Sequence, residues 1–153
     1  CLIHHRKMNI KGNKKRVTYK MKKFFIFLLS SLLVLAACGK NYEISDITNK
    51  FKKEGLSVEN LRKMEREDFG MSPMKTENAK IFTVSEDKNA RILKFKNEDD
   101  LKEMKKYYEE LGKSSATFYS HVYTKDKFLI QMNGDIDDHV FEKYKKAMNE
   151  ALN

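Results

Sequence analysis

Tryptophan is absent from this chain of 153 residues, proline occurs once, at position 73, and cysteine twice, at positions 1 and 38. Beyond Cys38 there is no cysteine, so that part of the chain folds without an internal disulfide and offers no thiol nucleophile. Five glycines follow residue 37, each isolated from the others, which excludes a glycine-rich phosphate loop. No serine is set in a nucleophile elbow. The most telling absence is one of charge: residues 1–37 contain no Asp or Glu.

That absence explains the formal net charge of +9. Nine of the 31 basic residues lie in residues 1–37, and removing them leaves 22 bases against 22 acids. Beyond residue 37 the chain is therefore neutral, with its charges interspersed as on a solvated surface. A basic stripe, the electrostatic footprint of a nucleic-acid binder, is missing. We expect no nucleic-acid partner.

Residues 24–37, FFIFLLSSLLVLAA, carry no charge and no helix breaker, and they follow Met21-Lys22-Lys23. The run is short of the roughly 20 residues that a spanning helix needs. An amphipathic core helix would place polar residues every three or four positions, and only Ser30 and Ser31 interrupt this one. A basic start, an apolar stretch and small residues before the end form the pattern of a secretory signal peptide.

The end of the run refines that reading. Leu35-Ala36-Ala37-Cys38 resembles the lipobox of bacterial lipoprotein signal peptides, over residues 21–38. The resemblance implies cleavage before Cys38 by the type II signal peptidase and a diacylglyceryl thioether on the Cys38 sulfur. It implies a protein anchored by lipid on the extracytoplasmic face of a cell membrane. Lysine-rich, Trp-free composition points to a Gram-positive source, and the remaining domain resembles small uncharacterised lipoproteins of such bacteria. Residues 1–20 begin with Cys and place a polar, basic tract ahead of a signal that is already complete. We expect translation to start at Met21, with Met8 the other available start, and residues 1–20 to be a disordered upstream mistranslation.

Residues 38–42 would then be a lipidated tether, about 15 Å long when extended, and residues 43–153 a single domain. Ile44, Ile47 and Phe51 predict a helix over 43–54 that Gly55 ends. Residues 57–66 read as extended, and 67–78 as a loop around Gly70 and Pro73. KIFTV (80–84) and RILKFK (91–96) predict a hairpin, followed by a helix capped by Asn97 and ended by Gly112. Residues 115–124 and 127–132 predict a second hairpin around Lys125-Asp126. Asn133-Gly134 turns the chain, and Asp135 caps a last helix with Val140, Tyr144, Ala147 and Met148 inside. The two hairpin–helix units form a weak repeat, from duplication or from recurring local chemistry. The expected fold class is α+β, an antiparallel sheet of four or five strands with helices on one face.

Catalytic residues are not evident. Tyr119, His121 and Tyr123 alternate on one face of a strand, as a ligand patch or as the solvent-facing or helix-facing side of that strand. DIDDH (135–139) has metal-ligating residue types, but its acids suit a helix start and lack the spacing of a calcium loop. No cofactor or metal is expected. The loop 67–78 is long for a compact domain, and Phe69, Met71 and Met74 give it an adaptable apolar surface. The sequence thus points to a non-catalytic binding module at the cell surface with a protein partner at the envelope. The alternative is a small-molecule or peptide receptor serving a transporter. Replacing Cys38 by Ala should leave the precursor uncut and unlabelled by radioactive palmitate; a labelled variant would refute the lipobox.

Overall fold

The structure, a computed structural model, describes residues 40–153. Leu35, Ala36, Ala37, Cys38 and the whole leader lie outside the described residues. Helix α1 (Ile44–Lys53) opens the folded unit, with Glu43 as its N-cap and Asp46 returning a side-chain bond to the Glu43 N–H. Gly55, at φ 73°, lets the chain reverse, so that Leu56 N–H donates to Phe51 O at 2.9 Å. Strand β1 (Glu59–Lys63) and the short helix α2 (Arg66–Phe69) follow. Then come β2 (Asn78–Ser85), β3 (Lys88–Lys94) and helix α3 (Glu98–Ser114). A 3-10 turn (Ala116–Phe118) leads into β4 (Ser120–Lys125), β5 (Phe128–Asn133) and helix α4 (Asp138–Ala151). Tyr42–Asn153 form one compact unit. No helix among the described residues is long and apolar enough to cross a membrane.

The five strands form one antiparallel sheet in the order β1-β2-β3-β5-β4, so the fold is α+β. Each hairpin closes on two residues, and the first of each, Glu86 and Asp126, takes a left-handed φ. The strands therefore run on through most of the SEDKNA segment that the sequence suggests as a loop. Central pairing joins β3 to β5, with Ile92 opposite Ile130 and Leu93 opposite Leu129.

Helices cover both faces of this sheet, where one face was expected. Phe82, Ala90, Ile92, Ile130 and Met132 point to one side and pack with α1 and α4. Ile81, Leu93, Phe95 and Leu129, of opposite parity, point to the other and pack with Leu101 and Met104 of α3. The physical reason was present in the strands: Ile92-Leu93 and Phe128-Leu129-Ile130 are adjacent apolar residues and so point to opposite faces, where a sheet buried on one side only would alternate.

The same geometry bears on the internal repeat. Only a two-fold axis normal to the sheet exchanges antiparallel β3 and β5, and it would put both following helices on one face. Because α3 and α4 lie on opposite faces, the two units are not related by such an axis.

Two further expectations shift. Helix α3 continues through Gly112 to Ser114, because Gly112 packs against Tyr119 and leaves no gap for a stop. Asp137, not Asp135, is the N-cap of α4, since Ile136 is first drawn into the core. Asn97 caps α3 as expected, its Oδ1 accepting from Asp100 N–H at 2.9 Å.

On the α1/α4 side, Tyr144 fixes the long-range geometry. Its ring meets Phe51 edge-on at 5.0 Å, and its hydroxyl donates to Ser57 O at 2.7 Å. Burial pushes this phenol up to about 12. At the edge of that layer the buried Lys94 ammonium pairs with Glu43 at 2.6 Å. The chain thus enters the unit at the Lys94 end of β3.

Candidate functional site

Along the α3 side of the sheet, the surface changes character at one point. Leu93 and Leu129 lie beneath the first half of α3. Two residues further along each strand, at the same parity, stand Arg91 and Gln131, and then Asn89 and Asn133. Arg91 and Gln131 are register partners, and Arg91 Nη1 donates to Gln131 Oε1 at 2.8 Å. Helix α3 keeps on over this polar ground with Tyr107, Tyr108 and Leu111. Ile81 and Val122, the register neighbours of Arg91 and Gln131, belong to the same apolar layer as Tyr107 and Tyr108, and beside this row a cleft of about 720 Å³ opens.

Its walls come from three other segments. Residues Glu67–Met71, from α2 and the loop after it, form one side. Ala116–Ser120 form the other, and Asp87, Gly134 and Asp135 close the end. Tyr119 is held in its place by two glycines. A Cβ on Gly112 would sit 3.5 Å from the Tyr119 ring, and one on Gly134 would collide with the Tyr119 carbonyl oxygen.

Arg91 is the only cation lining the cleft, against the acids Glu67, Asp68, Asp87 and Asp135. Asp68 is already engaged. Arg62 donates two bonds to it, at 2.6 and 2.8 Å, and the Glu65 N–H a third at 2.7 Å. These bonds, the Arg62 pair first, hold its carboxyl down at about 2. Burial pushes the Tyr108 phenol up, while the nearby Arg91 charge acts in the opposite direction. Arg91 itself pairs with no carboxylate among the described residues. Its Nε and the Ser120 hydroxyl are buried without a protein hydrogen-bond partner. A buried donor left so costs about 1–3 kcal/mol of stability.

The residues singled out from sequence divide into groups. Met71 is 88% exposed and Tyr119 50%, and both line the cleft. Phe69 also borders it but is mostly spent on the core beneath α2. Met74 lies outside, its sulfur accepting from Arg66 at 2.8 Å. The Tyr119/His121/Tyr123 patch is not one surface. His121 and Tyr123 face α4, and only Tyr119, just ahead of β4, reaches the cleft. His121 is 5% exposed and stacks on Phe141 at 4.8 Å. Its Nε2 donates to Ile136 O at 2.7 Å, which leaves Nδ1 as the acceptor facing the Tyr119 hydroxyl at 3.5 Å. Tyr123 donates to Asn149 at 2.7 Å. His139 is exposed, and no group of three or more metal-ligating side chains occurs among the described residues.

Sequence reasoning missed Asn89, Arg91, Ser120, Gln131 and Tyr108. A signal existed for two of them. Arg91 and Gln131 are polar positions set in otherwise apolar strands, yet only the strand pairing shows that they stand side by side. Taken as chemistry, the cleft offers one guanidinium, three amides, several phenols and an acidic rim. Such a set recognises a ligand by hydrogen bonds and charge. No family model matches the chain, and neither a curated protein nor a solved structure shows significant similarity to it.

The Asp68 clamp gives a pH prediction. A carboxyl held below its ordinary value of 3.8 adds stability above that pH, lost as pH falls toward about 2. Asp68→Asn should therefore be less stable than wild type above about pH 5, by no more than about 1 kcal/mol because the Arg62 side is exposed. The difference should vanish near pH 2 in acid-denaturation curves, and parallel curves for the two proteins would refute the clamp.

Proposed function

We propose that this protein is a non-catalytic binding module, held by a lipid on Cys38 at the extracytoplasmic face of the cell membrane, that takes its ligand in the Arg91 cleft. One observation carries the reading: the Arg91 guanidinium lines a cleft of ligand size, has no carboxylate partner among the described residues and keeps its Nε unsatisfied, at a cost to the fold. No general base is aligned with a nucleophile there. The histidine at hand, His121, is turned to the other face and occupied by Ile136 O.

Cleft size favours a small ligand over a broad protein surface, which moves the transporter-receptor alternative closer than the sequence placed it. A low-molecular-mass fraction of cell-envelope extract should raise the melting temperature of the full chain in detergent. Mass spectrometry should recover the bound compound unchanged. Conversion of that compound by the protein would make it an enzyme and defeat the reading, as would a fraction without effect.

A further inference from the structure

We infer that the cleft binds short peptides by their free C-terminal carboxylate, with Arg91 as the anion-binding residue and the acidic rim receiving a cationic group at the peptide's other end. The inference rests on the binding-module reading and names its ligand class.

Arg91 fixes the first contact. Gln131 occupies Nη1 and Nε is buried, so an incoming carboxylate meets Nη2, which has no acceptor among the described residues. A carboxylate accepting from a guanidinium N–H forms a charge-assisted bond, stronger than one between neutral groups. Such a group supplies the charge partner that Arg91 lacks among the described residues.

The rim rules out a simple anion. Asp87, Asp135 and Glu67 border the cleft and form no ion pair among the described residues, and a ligand that is negative throughout would be repelled. The fitting ligand carries a positive group away from its carboxylate. Geometry sets how far. Asn89 and Arg91 stand at alternate positions along β3 and Asp87 lies in the turn just before it, so Asp87 and Arg91 lie up to about 14 Å apart along the backbone. The amine and carboxylate of a single amino acid are too close to serve both. A chain of three or four residues, at roughly 3.3–3.6 Å each, spans that distance.

Between the two charged ends the floor presents the amides of Asn89, Gln131 and Asn133, which match the donors and acceptors of peptide groups. Phe118 and Tyr119, both half-exposed, and the exposed Met71 provide apolar contact for side chains of varied shape. The contact set is specific at the ends of a peptide and permissive between them.

The test uses the full chain in detergent and three pools of tetrapeptides randomised over Ala, Lys, Phe and Trp. One pool has free termini, one is amidated at the C-terminus and one is acetylated at the N-terminus. Because the protein contains no Trp, binding is read from peptide tryptophan anisotropy without background. The free pool should bind, and amidation should weaken it about tenfold or more. Acetylation should weaken it less. Arg91→Gln should weaken the free pool by the same factor and bind the free and amidated pools alike. Equal binding of the free and amidated pools to wild type would overturn the inference and leave a cleft that binds peptides by other means. No binding of any pool at millimolar concentration would overturn it too, while the envelope-fraction experiment still decides whether the cleft binds at all. Comparison of the pools on unaltered protein keeps the test independent of how Arg91→Gln folds.

Discussion

The antiparallel pairing of β3 with β5 is the interaction on which the rest depends. It joins two hairpins that are local in sequence and otherwise independent, across about forty residues of chain, with Ile92 opposite Ile130 and Leu93 opposite Leu129. Alternation along these two strands then sends one set of side chains to α1 and α4 and the other to α3. A slip of one residue would exchange the sets and drive Arg91 and Gln131 into the Phe51–Tyr144 layer. Two-sided burial thus fixes the register, and the register places the cleft.

The two faces are used differently. The α1/α4 side is packed around one aromatic cluster, in which Phe51, Phe82 and Tyr144 meet. Its polar groups have partners in the fold, as with Lys94 on Glu43 and His121 on Ile136 O. The α3 side is closed only along its apolar half. Where the strands turn polar, the cleft opens beside α3, and Arg91 lines it without a carboxylate partner among the described residues. One face supplies stability; on the proposed reading, the other supplies recognition.

Much of this was legible in the sequence. Helix α1, with its glycine stop, both hairpins, the Asn97 cap and the α4 stripe of Tyr144, Ala147 and Met148 follow from periodicity and turn chemistry, which act over a few residues. The second covered face had a signal too, in the adjacent apolar pairs Ile92-Leu93 and Leu129-Ile130, whose members point to opposite faces. The cleft was only partly readable. Met71 stood out as an apolar residue in an irregular segment, whereas Tyr119 was placed on one strand face with His121 and Tyr123, and it lines the cleft while they face α4. Arg91, Gln131 and Ser120 meet through strand order and register, and a sequence does not state which strands are neighbours.

The central claim is that Arg91 is kept for recognition and not for the fold. Thermal unfolding of Arg91→Met tests it most directly, because methionine fills a similar volume and removes both the charge and the unpartnered Nε donor. The account predicts a melting temperature close to that of the wild type, since the substitution frees the fold of the unsatisfied Nε and in exchange leaves the buried Gln131 Oε1 without its donor. A fall of several degrees would contradict it and make Arg91 a structural residue.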